Sequence, residues 1–367
     1  MLRALKKLFA KIFIGSGRKI NHTKKEAKDY IDSFPDPKDD LERSWFQYKC
    51  QAWDSYGRVQ IMIANLASFV LYLPFYFKYR AKAKEPVRQE KSRCVAAEEL
   101  ILPSIPIEYR DDCIIPNSYI GRLDRKDTQF LRTITKRYPF AFYFRFKIMG
   151  RIANYSYIIS KHSPEIIFCS AEYSYTSSVL THYCEKREIS LCNAMHGEKG
   201  FDIRDAFCRF SKFYVWDEFY KNLFLELRAS KTEYIIRQLE VPMIETIQNI
   251  NHYTYYLQEQ KAKQMMIIKK KFESMNVDYI VRPHPIYSGD DVYKVFDSNH
   301  IEKNIDIWES IKRAGNVVSV DSTVNYQAFL AGVRVVLDDI SEPEYFSKLE
   351  EREYIMLSKP HKLLSKI

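Results

Sequence analysis

The spacing of apolar positions changes once along this chain, near residue 90. Before that point apolar residues recur at helical intervals between basic stretches, and after it short β-type runs alternate with helical ones. Strands are predicted at 94–97, 165–170, 190–195 and 213–216, with helices at 176–187 and onward through 227. After Pro242 the alternation restarts, with strands at 253–257, 278–281, 316–320 and 333–337 and helices at 260–275, 305–314 and 324–331. Strands alternating with helices imply parallel sheets with helices on both faces. The expectation is an α/β chain of two Rossmann-like domains facing a cleft, 92–245 and 246–345. A helical, basic, membrane-associating extension at 1–91 precedes them, a helical tail at 346–367 follows, and the hinge falls within 240–251.

A length of 367 residues with 46% hydrophobic and 15% aromatic content supplies two ordinary cores. The net charge of +10 points to nucleic acid until it is located. Residues 1–25 carry eight Lys and Arg and no acid, and residues 78–93 carry seven bases against Glu85 and Glu90, so the rest of the chain is slightly acidic. Such confinement favours an anionic membrane surface over DNA or RNA. Residues 1–15 set Leu2, Leu5, Phe9, Ile12 and Phe13 at helical spacing between lysines. That pattern fits a helix lying in a headgroup layer, or one packing its stripe on the protein. The apolar run 61–77 spans roughly 25 Å as a helix, short of the ~30 Å hydrocarbon core, and reads as a buried or half-buried helix, an interfacial segment or a membrane span. Seven scattered cysteines without a C-x-x-C pair read as reduced thiols in a cytoplasmic protein, with neither disulfide nor structural zinc expected.

The chemistry-bearing residues sit where predicted strands end, which is where open α/β sheets hold ligands. Ser322 and Thr323 follow an apolar strand and open a helix, with Asp321 as a candidate cap. Free N–H groups, the helix dipole and two hydroxyls there form a phosphate site, although Ser and Thr are also ordinary helix caps. Arg282-Pro283-His284-Pro285 ends another strand; its two prolines stiffen the turn, so the His284 imidazole either meets a phosphate or bonds to backbone. In the first domain His196 and Glu198 follow a strand, with Gly197 and Gly200 permitting close backbone approach, and either side chain could deprotonate a hydroxyl. Glu172 is a third ionisable candidate or a helix-capping carboxylate, and Arg282 and Gly197 are further cleft residues. No Asp-x-Asp metal motif is present, and no metal or cofactor is expected.

The order of His196-Gly197-Glu198-Lys199-Gly200, Tyr214-Val215-Trp216-Asp217, Arg282-Pro283-His284-Pro285, Val320-Asp321-Ser322-Thr323 and 332–339 resembles bacterial surface-polysaccharide glycosyltransferases of the GT-B fold. Within these it is most similar to sialyltransferase- and polysialyltransferase-like enzymes of capsule and lipooligosaccharide synthesis. The resemblance implies that His284 and Pro285, with Ser322 and Thr323, bind the phosphate of a cytidine nucleotide. In that family an acidic-acidic-Gly turn supplies the base; here Lys199 stands where the second acid would be. A more distant resemblance to the glycerophosphotransferases of teichoic acid synthesis implies His196 as base and a CDP-alcohol donor. The base is therefore His196 or Glu198. Together these imply an inverting, metal-independent transferase with a nucleotide-sugar donor and a glycan or glycolipid acceptor, cytoplasmic and peripheral at the inner face of the cell membrane. A nucleotide-sugar epimerase and a non-catalytic membrane-surface assembly protein are the competing readings.

Overall fold

The computed structural model describes residues 22–97, 99–116, 120–230, 232–244, 251–285 and 287–367. The amphipathic stretch expected at 1–15, and residues 245–250 of the expected hinge, lie outside them. The chain divides into two compact units. One comprises the described residues up to His196 together with Asp202–Arg237, and the other Gly197–Phe201 together with Gln238–Ile367.

The first unit begins with α1 (Lys24–Asp32), α2 (Asp40–Ser55) and α3 (Arg58–Lys82). Thr23 starts α1 through a reciprocal box in which its hydroxyl accepts from Glu26 N and Glu26 accepts from Thr23 N. Asp39 caps α2 by accepting from Glu42 N at 2.9 Å. The segment read from sequence as an extension is, in its helices, part of this unit. Ser44 Oγ accepts from Val179 N at 3.0 Å, and Gln47 Nε2 donates to the carbonyl of Glu172 at 2.6 Å, so α2 satisfies polar groups that would otherwise be buried unpaired.

Six parallel strands follow in this unit: β1 (Cys94–Ala96), β2 (Cys113–Ile114), β3 (Ile166–Cys169), β4 (Ser190–Ala194), β5 (Lys212–Val215) and β6 (Glu233–Ile236). They stand in the order β2-β1-β3-β4-β5-β6. Between β2 and β3 come α4 (Arg125–Arg137) and α5 (Phe142–His162); α6 (Ser177–Glu185) and α7 (Glu218–Glu226) complete the unit. The inner strands are buried on both faces, as parallel sheets covered by helices require, with Val95 opposite Ile167 and Phe168 opposite Cys192. The chain leaves β1 toward β2 and returns to β3 on the other side of β1, a topological switch point. The short β2 and the edge strand β6 have no counterpart in the sequence reading. Two residues show no period, and β6 is exposed at both ends.

The second unit carries β7 (His252–Tyr256), β8 (Asp278–Arg282), β9 (Asn316–Ser319), β10 (Arg334–Leu337) and β11 (Lys362–Leu363). All run parallel in the order β11-β10-β9-β7-β8. Its longer helices are α8 (Ala262–Met275), α9 (Ile307–Arg313), α10 (Thr323–Leu330) and α11 (Pro343–Glu351). Tyr253, Tyr255, Ile268, Phe272, Tyr279 and Val281 form the core between α8 and the sheet. The tail expected to be helical is helical up to Glu351 and in the short turns Ile355–Ser358 and Leu364–Lys366, but between these turns it adds β11, pairing Leu363 with Leu337, next to the fully buried Leu364. Two parallel-sheet units of Rossmann type, the pair that a GT-B chain comprises, are thus present. The second sheet has its switch point between β7 and β9.

Candidate functional site

In the second unit, three loops at the carboxyl ends of neighbouring strands are tied together. Ser322, 8% exposed, is the N-cap of α10 and accepts from Val324 N at 3.3 Å. Asp321 does not cap the helix; it accepts from the Tyr345 hydroxyl at 2.6 Å. Gln258, just past β7, donates from Nε2 to Ser322 Oγ at 3.0 Å, across the switch point. The Gln258 carbonyl accepts from Ser288 Oγ at 3.1 Å, and Ser288 Oγ accepts from His284 N at 2.8 Å. The His284 turn is therefore fixed to the Ser322 helix start through two side chains.

The His284 ring is oriented as well as placed. Its Nδ1 accepts from Tyr287 N at 3.2 Å, which puts the proton of a neutral ring on Nε2 and makes that atom a donor. Tyr287 stacks on the ring at 4.4 Å between centroids. Pro285 is exposed and limits the turn's freedom. Arg282, expected among the cleft residues, is committed elsewhere: it donates to Glu302 at 2.9 Å and to the carbonyl of Ile305 at 2.8 Å.

Segment Gly197–Phe201 belongs to this second unit, which corrects the sequence expectation that Glu198 lies in the first. Glu198 N donates to Thr323 Oγ1 at 3.4 Å, and a Cβ on Gly197 would lie 3.6 Å from that oxygen. Tyr354 donates its hydroxyl to Glu198 Oε2 at 2.7 Å and accepts from Asn325 Nδ2 at 3.3 Å. Burial pushes the Glu198 carboxyl well above its ordinary value of 4.5; Asp321 adds to the rise and the Tyr354 bond offsets part of it.

A carboxyl raised in the folded state holds its proton after the unfolded chain has lost it. Stability is then full below the ordinary carboxyl range and falls as pH rises through the raised value. Glu198→Gln should therefore gain on the wild type between pH 5 and pH 8 in denaturant titrations. A constant gap across that range would show that the carboxyl is ionised in the fold.

In the first unit a second cluster forms at the ends of β3 and β4. Glu172 is fully buried, and its Oε2 accepts from Asn193 Nδ2 at 3.0 Å and from Ser170 Oγ at 3.3 Å. Ser170 Oγ also contacts Nδ1 of His196, whose side chain is exposed. With Ser170 Oγ donating to Glu172 Oε2, its contact with His196 is completed by a ring that donates Nδ1–H, the tautomer in which Nε2 carries the lone pair. Asn193 is held in turn by Ala171 N, which donates to its Oδ1 at 2.8 Å. The result is a carboxylate–hydroxyl–imidazole chain that orients His196 as a proton acceptor.

His284, Ser322 and Thr323 are thus brought into one unit, joined there by Glu198, while His196 and Glu172 meet in the other. The sequence reading missed Ser170, Asn193, Gln258, Ser288 and Tyr354. Ser170 and Gln258 do carry a legible signal, as polar residues one or two positions beyond a strand.

No family model and no curated protein matches the chain. Over 84% of its length it is similar to the wall teichoic acid polymerase TagF, with 8% identity, 86% of that chain covered and a TM-score of 0.41. Over 75% it is similar to the calicheamicin glycosyltransferase CalG4, with 8% identity, 85% of that chain covered and a TM-score of 0.43. It is also similar over 48% to TarM, with 11% identity and a TM-score of 0.33, and spans only 41% of that chain.

Proposed function

We propose that this chain is a glycosyltransferase that moves a sugar from a cytidine-nucleotide donor to a hydroxyl of a cell-surface polysaccharide or lipooligosaccharide, sialic acid or a related acidic sugar being the group transferred. The observation that carries the reading is the linked set His284–Ser288–Gln258–Ser322 at the second sheet's switch point. With Thr323 beside Ser322, it presents an Nε2–H donor, the Ser322 and Thr323 hydroxyls and the start of an eight-residue helix, a donor set suited to a nucleotide phosphate.

In the transfer step the acceptor hydroxyl gives its proton to His196 Nε2, and its oxygen forms a bond to the donor carbon. The bond from that carbon to the phosphate oxygen breaks, and its electron pair stays on the phosphate. His284 Nε2–H and the Ser322 and Thr323 hydroxyls stabilise the charge that develops there, an electrostatic role that needs no metal. Glu172, through Ser170, steadies the positive charge that His196 acquires.

A second reading has a specific observation in its favour. The chain from Glu172 to His196 makes His196 the better-oriented base, and Glu198, with its raised carboxyl, the poorer one. His196 is also the base implied by the resemblance to glycerophosphotransferases, whose donor is a CDP-alcohol. Incubating the purified chain with CMP-sialic acid, CMP-Kdo, CDP-glycerol and UDP-glucose, with and without glycan acceptors, separates the cases. Acceptor-dependent release of CMP from a CMP-sugar is the expected result. Release of CMP from CDP-glycerol selects the second reading, and turnover of the UDP donor alone overturns the cytidine assignment.

A further inference from the structure

Helix α3 leaves an apolar stripe without a protein partner in its own unit. Among the described residues eighteen large apolar side chains are exposed, and eight of them lie on this one helix. Val59, Met62, Leu66, Val70, Leu73 and Phe77 follow at intervals of three or four residues, so they share one face along about 27 Å. Leu66 is 66% exposed and Val70 62%, so among the readings the sequence left open for 61–77 a fully buried helix is excluded. Contiguous apolar surface of this extent marks an interaction site.

The opposite face decides between lying on a membrane and crossing it. Ala64 and Ser68 are buried there, and Asn65 Oδ1 accepts from Tyr143 N of α5 at 3.1 Å. Phe75 meets Phe146 at 5.5 Å, and Arg145 of α5 lies 4.9 Å from the Tyr72 ring centroid. Helix α5 in turn buries Phe144, Ile148 and Ile152 in the core, so α3 is packed along its length on a soluble-type unit. A helix long and apolar enough to span a bilayer is thereby apolar to solvent on one side only.

Charge selects the occupant. There is no Asp or Glu between Arg58 and Lys82; Arg58 begins the helix, and Lys78, Arg80 and Lys82 end it. Lys82 is paired with Glu85 just past the helix end at 2.8 Å, but two copies pairing stripe to stripe would still bring Arg58, Lys78 and Arg80 together with no acid on either helix to offset them. An anionic headgroup layer supplies the missing charge, and Tyr72 and Tyr76 have the amphipathic character favoured at that depth. We propose that the exposed stripe of α3 inserts into one leaflet of an anionic lipid bilayer, with its flanking bases in the headgroup layer. This inference is independent of the transfer reading.

Vesicle flotation of the full chain tests it, using phosphatidylcholine vesicles with and without one third phosphatidylglycerol. The wild type should float with the anionic vesicles, and the triple variant Leu66→Glu, Val70→Glu, Leu73→Glu should lose about tenfold or more in partitioning. The substituted sites are exposed, so an unchanged melting temperature checks that the variant is folded. Arg58→Glu with Lys78→Glu should reduce the preference for anionic lipid. Undiminished flotation of the triple variant overturns the proposal by assigning membrane binding to the basic segment 1–25. Absence of wild-type binding also overturns it, as does a lipid-free dimer that the triple variant dissociates.

Discussion

Replacing His196 by Ala is expected to lower kcat for transfer by about 10³-fold while leaving donor binding near the wild-type value. The side chain is exposed at the end of β4, so its removal opens no cavity, and the loss falls on chemistry rather than on folding. Its expected role follows from the Glu172–Ser170–His196 chain. The buried carboxylate accepts a hydrogen bond from the Ser170 hydroxyl, that oxygen accepts one from a ring protonated on Nδ1, and the nitrogen left to receive a proton is Nε2. A positioned base contributes only when the acceptor is deprotonated in the transition state, so KM for the donor should hardly move. Ser170→Ala should give a smaller loss with the same split, because the imidazole remains but its tautomer is no longer set. Single-turnover kinetics together with nucleotide calorimetry check both statements. Wild-type turnover in His196→Ala would remove His196 from the reaction and return the base to Glu198.

His284→Ala is expected to lower kcat/KM by about 10²-fold to 10³-fold, the range seen when a preorganised donor to developing negative charge is removed. Here, unlike at His196, nucleotide affinity should fall too, since the phosphate is already charged in the ground state. The turn should keep its shape: the backbone N–H of His284 still reaches Ser288 Oγ, and Gln258 still joins Ser288 to Ser322. His284→Gln, which restores a donor without a titrating ring, should recover part of the affinity. Calorimetry with CMP and steady-state assays on both variants decide the matter. Unchanged CMP binding in His284→Ala would leave the ring a purely structural stack on Tyr287.

Much of this was legible in the chain alone, for identifiable reasons. Strands such as Ile166–Cys169 and Asn316–Ser319 are short apolar runs bounded by turn residues, and burial on both faces leaves them little freedom to be anything else. Ser322 and Thr323 could be placed at a helix start because a polar pair directly after such a strand has few other roles. The restricted turn at His284 was also readable, since Pro283 and Pro285 flank it.

The remainder was decided by the packing of distant segments. Nothing near Glu198 in sequence assigns it to the second unit; its backbone meets Thr323 and its carboxyl meets Tyr354, contacts 125 and 156 residues away along the chain. Ser170 becomes a link between Glu172 and His196 only because β3 and β4 lie side by side. The stripe on α3 has the composition of a buried helix, and hydropathy is blind to which face a neighbour covers. The sequence by itself determined the buried inner strands, their parallel α/β order and the strand-end residues, because these depend on local period and turn chemistry. Only the tertiary structure decided which strand ends meet, which carboxyl is buried and which apolar face is left in solvent, because hydrogen bonding and desolvation at those sites come from residues far apart in the chain.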